Sequence, residues 1–476
     1  MYRAYDSVDT RVIDIHLLVG KLDGLPLALA QAGSFIGRTG ISTLKYIEFF
    51  DKTWSNLMNQ HDRFPLQEYQ HSMLTTWKIS YDQVLRQSEA AAWLLRLWAF
   101  LHPDDFWYGL LAKSSTIVFR LEEGEKFELP TWLAHLAENE LKFSSAMGLL
   151  KAYSLAESQG SGSYTMHSVL HQWSRSLSVE ADAAMLLSIS VCVLASAAPD
   201  EEDDNYWKNY WKLQRRLLQH VLHVSNEIQA LPMLTKPELP SRATHRLGCL
   251  LSRQEKLNEA EHMFRRALAG YEKTLGPDHL STLDTIDNMG ILYRHQGKLD
   301  EAEQMCQRAL AGYEKALGPN HTATLDTVNS LGILYEKQEK PDKAEQMYRR
   351  AIAGYEATVG PNHTSTLGTL NNLGSLYHEQ DKLDEAEQLY QRALAGYEMV
   401  YGVEALTDPL LDTVWNYALL HGHQAKLDEA ERMFERALVG YQQIYGHSHR
   451  ETTRASEKLF LVRSKKGKSF HQAPSR

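Results

Sequence analysis

The sequence predicts a mainly α protein: a helical opening segment, a module with a little β structure, and a right-handed α-solenoid in the second half. Three observations point there. Gly-Tyr-Glu stands at Gly270, Gly312, Gly354 and Gly396, a constant step of 42, and Gly440-Tyr441-Gln442 follows 44 residues on. Within each step apolar residues recur at helical spacing, as Leu283, Ile286, Met289, Leu292 and Tyr293 do. Ahead of Ser241 the chain is not repetitive. A fixed period of this length marks stacked units that bury their apolar faces only against one another.

Each unit reads as helix, turn, helix, stop. The first helix ends in a polar turn, Gly297 to Ala302. Asp300 and Glu301 then sit near the positive end of the second helix, with Arg308 further along. In the third unit Pro341 replaces the Leu of the others, which places it at a first helical position, the one place where proline fits. The exit is Leu317 to His321: Gly318 is expected to form a left-handed cap, Pro319 forbids continuation, and a Thr-rich stretch starts the next helix.

Small residues mark where helices approach closely: Gly290, Gly332 and Gly374 in the first helix, Ala302, Ala344, Ala386 and Ala430 opening the second, and Ala309, Ala351, Ala393 and Ala437 beyond them. Larger residues alternate with them at Phe264, Cys306, Tyr348, Tyr390 and Phe434. This pattern resembles the tetratricopeptide repeat (TPR) in the 42-residue form of kinesin light chains, with five units over residues 241–446.

Stacked pairs of this kind present an extended concave groove made by the first helices. Asn288, Asn372 and Asn416 are placed on it, with Ser330 interrupting the series and Arg246 at the equivalent place in the first unit. Side-chain amides can hold a peptide backbone, so a protein or peptide in the groove is the implied partner; the alternative is that these residues only solvate it. Tyr271, Tyr313, Tyr355 and Tyr397 read as packing between units. His279, His321 and His363 recur once per unit, but packed helices lie about 8–10 Å apart, too far for a shared metal ion, so they read as loop residues. Asn320-His321-Thr322 and Asn362-His363-Thr364 match a glycosylation pattern that matters only in a secreted chain.

Nothing at the start of the sequence reads as a signal peptide, and the apolar stretch from Leu25 to Ile36 is too short and too broken to span a bilayer. Cys192, Cys249 and Cys306 are scattered, which suits a reducing, cytoplasmic setting without a membrane. A length of 476 residues suggests two to four domains, and 43% hydrophobic content is ample for their cores. The net charge of −10 argues against nucleic acid as the main partner. The basic stretch at 447–476, with Arg454, Lys458, Arg463, Lys465, Lys466, Lys468 and Arg476, reads as a capping helix and a disordered tail.

The first half holds three linked motifs. Gly24-Leu25-Pro26-Leu27-Ala28 heads an apolar helix with small residues along it. Residues 76–106 read as two helices, the second rich in Leu and Trp, ended by His102-Pro103. Tyr164-Thr165-Met166-His167-Ser168 is a short strand-like piece after Gly160-Ser161-Gly162. In this order they resemble the back half of an NB-ARC module, the nucleotide switch of NOD-like and plant resistance-type receptors of the STAND class, over about Asp14 to Glu180. The resemblance implies an ARC-type helical segment at 1–72, a winged helix at 73–180, a helical linker at 181–240, and the repeats at 241–446.

It also implies that Pro26 packs against adenine and His167 reaches the β-phosphate of ADP, with Ser168 departing from the usual Asp. The recognition helix of this module, Val169 to Leu177, has a single arginine and no basic face for DNA. His167 and His171 alone do not make a metal site, which needs three or four ligands. The linker carries Trp207 and Trp211 on an amphipathic stretch, read as core anchors.

No Gly-x-x-x-x-Gly-Lys-Ser/Thr loop stands anywhere in the sequence, so the residues present imply no cofactor, and ADP enters only where an upstream P-loop domain supplies the phosphate grip. No hydrolase elbow, zinc-protease motif or dinucleotide fingerprint is present, so a non-enzymatic role is expected. Two function classes remain: the regulatory or sensor part of a NOD-like STAND receptor, with homo-oligomerisation through its NB-ARC-type region, or a nucleotide-independent adaptor like kinesin light chain. The second lacks the sustained heptads with which kinesin light chains dimerise.

Overall fold

The computed structural model describes residues 6–22, 25–58, 68–115, 129–160, 162–198, 206–230, 239–403, 406–447 and 449–471. At 6–13, 27, 54–58, 68–72, 115, 206–212, 214, 230 and 467–471 only the backbone is described. Expectations placed on Gly24, Ser161, Arg476, and the side chains of Trp207, Trp211 and Lys468 therefore lie outside the described residues. The chain divides into two compact units, Met1–Thr274 and Leu275–Arg476. The division leaves the first of the five repeat pairs in the leading unit.

The first unit opens with α1 (Asp6–Lys21), α2 (Pro26–Thr39), α3 (Thr43–Met58) and α4 (Glu68–Gln87). Pro26 begins α2, where a missing N–H breaks no helical bond, and Gly40 ends it in the left-handed conformation at φ 70°. Ala28 and Ala32 are fully buried, and their small size lets α2 approach its neighbours. Gln31 Nε2 and Ser34 Oγ donate to the carbonyls of Tyr153 and Ala152 at 2.6 and 2.8 Å.

Next come α5 (Glu89–Trp98), β1 (Phe106–Trp107), α6 (Tyr108–Ala112), α7 (Thr131–Ala137), α8 (Glu140–Ala152), β2 (Glu157–Gln159), β3 (Ser163–Thr165) and α9 (Ser168–Ser176). The strands form an antiparallel sheet in the order β1-β3-β2, with Tyr164 opposite both Phe106 and Ser158. Trp98 stacks on Phe106 at 4.7 Å and Phe143 packs against the same ring at 5.9 Å, so the small sheet rests on an aromatic core.

Four helices complete this unit: α10 (Glu180–Ala197), α11 (Tyr206–Ala230), α12 (Ser241–Arg253) and α13 (Leu257–Thr274). α10 is long and apolar enough to cross a membrane, but 67% of it is buried, packed by α5, α6, α11 and α12, as a core helix is. Arg96, itself buried, holds Asp182 of α10 at 2.5 Å and stacks on Trp93. α11 is tied to the turn before β1. Arg216 grips Asp105 with two bonds of 2.6 and 2.7 Å, His220 accepts from the His102 N–H, and the other ring nitrogen of His220 meets the Asp105 carbonyl at 3.1 Å.

The second unit is a stack of helix pairs: α14 (Leu280–His295) with α15 (Leu299–Leu317), α16 (Thr322–Lys337) with α17 (Pro341–Thr358), α18 (Thr364–Glu379) with α19 (Leu383–Tyr401), and α20 (Asp408–His423) with α21 (Leu427–Tyr445). α22 (Arg450–His471) packs on α21 and continues as helix well into the basic stretch, where Arg463 and Lys466 pair with Glu431 at 2.7 and 2.9 Å. With the pair α12 and α13, the five repeats expected from the period are present as helix pairs, and the fold is mainly α with a solenoid of such pairs.

Two glycine contacts per pair explain the repeated letters. A Cβ on Gly332 would lie 2.6 Å from the Tyr348 ring, and one on Gly374 2.9 Å from Tyr390. In the other direction, a Cβ on Gly312, Gly354, Gly396 or Gly440 would meet Leu283, Leu325, Leu367 or Leu411 at 2.3 to 2.5 Å. The Gly of Gly-Tyr-Glu is thus the bed for a buried leucine of its own pair. The following tyrosines are buried too, and Tyr313 and Tyr355 donate their hydroxyls to Asp284 and Asp326 within one pair, so they clamp pairs internally.

The exits are built by a recurring loop. Gly276, Gly318, Gly360 and Gly446 have φ of 85° to 98°, but Gly318 has ψ 166°, so the expected left-handed cap is instead an extended conformation open essentially to glycine. Its carbonyl accepts the Thr324 hydroxyl at 2.8 Å, as Gly276, Gly360 and Gly446 accept from Thr282, Thr366 and Thr452. The loop histidines act as helix caps, since Nδ1 of His279, His321 and His363 accepts the N–H of Ser281, Ala323 and Ser365 at the starts of α14, α16 and α18.

Neighbouring pairs are stitched by polar contacts at the same interval. Glu303 accepts from Tyr335 and Gln338 at 3.1 and 3.0 Å, Glu345 accepts from Tyr377 at 2.9 Å, and Glu387 accepts from Gln424 and Lys426 at 2.9 Å. The hydrogen bonds and nearby lysines hold all three carboxyls below the usual range against the opposing effect of burial.

Candidate functional site

In the second unit the first helices α14, α16, α18 and α20 touch in sequence and form one face. Asn288, Asn372 and Asn416 lie on three of them, each half-buried. Their partners differ. Asn288 donates to the Asp284 carbonyl one turn back in its own helix at 2.9 Å. Asn372 donates to Asn329 on α16 and Asn416 donates to Asn371 on α18, both at 3.2 Å. Amide pairs thus bridge consecutive first helices, and Asn329 and Asn371 belong to the face although the sequence spacing did not select them. The signal was there: Asn329 and Asn371 share a 42-residue step one position ahead of Ser330 and Asn372.

Asn329, Asn371 and Asn372 border a cavity of about 340 Å³, whereas Asn288 and Asn416 do not line it. It is lined by Asp326 and Asn329 from α16, by Gly368, Asn371 and Asn372 among others from α18, and by Asp408 and Asp412 from α20, with Tyr355 and Tyr397 from the second helices. Its position follows from one break in the repeat. Asp284, Asp326 and Asp412 stand at equivalent places in three units and take the hydroxyl of Tyr313, Tyr355 and Tyr441. In the fourth unit that place is Gly368, and Tyr397 donates instead to the Thr364 carbonyl at 3.3 Å. The carboxymethyl group missing at Gly368 leaves the space.

Charge in the cavity is of one sign. Three of the lining residues are aspartates and none is Lys, Arg or His. Solvent reaches Asp412, yet the surrounding protein, with Asp408 beside it, pushes its carboxyl up to about 6. Asp326, which solvent also reaches, and the half-buried Asp408 are raised as well by the desolvation that neighbouring protein imposes. Asp408 Oδ1 is buried without a hydrogen-bond partner.

Arg246 belongs to the first unit, where its guanidinium donates to the Ala198 carbonyl at the end of α10 at 2.9 Å. That bond ties it to α10, whereas the three asparagines bond within the repeat face. Pro26 and His167 are both exposed. They occupy the starts of α2 and α9, and His167 Nδ1 caps its own helix by accepting the Val169 N–H at 3.3 Å. α2 packs on α3, α4 and α8, whereas α9 packs on α5 and, through Trp173 against Trp77, on α4. Neither residue borders the cavity. His171 turns away from His167 into the core, with Nε2 at 2.8 and 3.2 Å from the Leu101 and Trp98 carbonyls. Among the described residues no group of three or more His, Cys, Asp or Glu is placed to hold a metal ion.

Two tetratricopeptide repeat models match the chain, one at residues 240–305 and 283–357 and the other at 366–405 and 416–451. The helix pairs of that region are therefore tetratricopeptide repeats. No curated protein matches the chain. Among solved structures, TPR-like repeats of the kinesin-light-chain type from Podosopora anserina are 20% identical over 43% of this chain and 96% of that one, with a TM-score of 0.36. A STAND protein with a tetratricopeptide repeat sensor from Pyrococcus horikoshii is 12% identical over 92% of this chain and 63% of that one, with a TM-score of 0.40. NprR in complex with its cognate peptide NprX is 17% identical over 58% and 76%, with a TM-score of 0.38. All three scores lie below 0.5, short of a shared overall fold.

Proposed function

We propose that the chain is a non-enzymatic, cytoplasmic interaction protein whose repeat face captures a protein or peptide segment in extended form. The observation that carries this is the bordered cavity: Asn329, Asn371 and Asn372 stand around about 340 Å³ of space between consecutive first helices. An amide side chain offers two N–H donors and an acceptor oxygen, which matches the alternating carbonyl and N–H of an extended backbone.

The finer form of the proposal is a sensor or regulatory segment of a STAND-type signalling protein. It is supported by the order of features in the first unit: α2 opened by Pro26, then the small sheet, then His167 at the junction of β3 and α9. In this reading Pro26 and His167 are the residues that would face ADP, with the phosphate grip supplied by an upstream P-loop domain. His167 spends one ring nitrogen on its own helix, Pro26 is exposed, and the sequence has no phosphate-cradling loop. Nucleotide control then depends on a P-loop partner segment, while partner capture does not.

The test is to pan a phage-displayed library of random peptides on the full-length chain and map the selected peptides by amide hydrogen exchange. Protection on α16, α18 and α20 is expected. Asn372→Ala should weaken capture while leaving thermal unfolding nearly unchanged. If no peptide is enriched, or protection falls elsewhere, the face is not a binding groove.

A further inference from the structure

We infer that the cavity beside Gly368 receives the ammonium or guanidinium group of a Lys or Arg side chain from the captured segment, an inference that rests on the groove proposed above. Three observations lead to it. The first is selective vacancy. In the second, third and fifth units an aspartate fills the place and closes on the tyrosine of its partner helix, while the fourth unit has Gly368. A Cβ added there would find only Tyr397 Oη within reach, at 3.4 Å, in contrast to the tightly covered glycines of the repeat.

The second is charge. Asp326, Asp408 and Asp412 converge on this space without a lining cation. The groups that act on them from outside the lining are His321 and His363 beside Asp326, His449 beside Asp408, and the guanidinium of Arg454 beside Asp412. The Asp408 carboxyl takes a hydrogen bond from Tyr445, but its Oδ1 is a buried acceptor with no donor. Carboxylates crowded in this way hold their charge at a cost that a cationic donor removes, and such charge-assisted bonds are the strong ones.

The third is size and wall chemistry. At about 340 Å³ the space sits at the small end of ligand pockets, suited to a side chain rather than to a whole cofactor. Tyr355 and Tyr397 line it, and aromatic walls favour a cation over a neutral group of equal size. The amides of Asn329, Asn371 and Asn372 lie next to the acidic space, so one extended segment could place its backbone on the amides and one basic side chain between the aspartates.

The same library panning tests it. Peptides selected on the full-length chain should carry one Lys or Arg at a fixed place. Changing that residue to Gln should lower affinity about tenfold or more, as should Asp412→Asn, which keeps an acceptor for Tyr441. The two changes together should cost little more than either alone, because each removes the same contact. The peptide change needs no protein variant, so a poorly folding Asp412→Asn would not block the result. If peptides bind, depend on Asn372 and protect α16, α18 and α20, yet carry no fixed basic residue or ignore Asp412→Asn, the basic pocket is wrong and the groove stands. If selected peptides are indifferent to Asn372→Ala, or none is selected, the groove fails and the pocket fails with it.

Discussion

Two glycine-to-alanine changes in equivalent first helices separate packing from helix propensity. Gly332 lies in α16 and Gly368 in α18. Alanine in a helix interior is about 0.5–1 kcal/mol better than glycine, and that gain is common to both. The surroundings differ. A Cβ at position 332 would sit 2.6, 2.7 and 3.1 Å from three atoms of the Tyr348 ring. That ring is fully buried and its hydroxyl is tethered to Glu336 at 2.9 Å, so it cannot swing aside. A Cβ at position 368 meets one atom at 3.4 Å, an ordinary contact. Overpacking costs about 1–3 kcal/mol, so Gly332→Ala should range from neutral to about 2 kcal/mol less stable. Gly368→Ala should gain about 0.5–1 kcal/mol. Thermal melts followed by far-ultraviolet circular dichroism should place the two variants several degrees apart, and Gly332→Leu should fall further. Equal shifts for the two alanine variants would refute the close crossing and with it the register of small and large residues along the repeat.

Acid should loosen the first unit through α11. Burial pushes His220 down to about 4, helped by His102 and Arg216 and opposed by its bond to the Asp105 carbonyl; His223 is also lowered to about 4, by burial and by His171, His102, Arg175 and His220, with Glu227 nearby. The folded form resists protons that the unfolded chain takes up near pH 6.5, so this stability is full above about 6.5 and is lost as pH falls toward 4. For His220 the loss between pH 7 and 5 is about 2 kcal/mol, and His220→Gln should flatten the pH dependence of melting; an unchanged slope would put the acid sensitivity elsewhere. At the start of α16, His321→Ala should cost about 1 kcal/mol by orphaning the Ala323 N–H, and His321→Asn should retain most of it, read as melting temperature and as exchange of that amide. Identical melts for the two variants would show that the imidazole is not the cap.

The solenoid was legible in the sequence because its determinants are local and repeated: apolar spacing, the Pro341 helix start, and the glycine and proline stops all act within a few residues. What was not legible involves contacts across longer separations. Gly312 faces Leu283, so Gly-Tyr-Glu could be counted without showing that its glycine is a packing surface. The asparagine pairs run 43 and 45 residues apart, from 329 to 372 and from 371 to 416, because adjacent first helices meet with an offset. A search at the repeat step alone therefore finds one partner of each pair and misses the other. The histidine caps escape a reading of the sequence because imidazole is not among the usual capping side chains.

A repeat tells most where it breaks. The tyrosine and aspartate clamp recurs because each helix pair faces the same packing problem, so its recurrence speaks to stability and little else. Gly368 gives up that clamp, accepts the helix penalty of glycine, and leaves an acidic space beside the amides. Neither helix propensity nor packing favours that choice: an aspartate with the geometry of Asp326 would serve both. The fourth unit is therefore the place in this solenoid where stability and another requirement conflict, and a site for a partner's basic side chain is a requirement that the residues around it can meet.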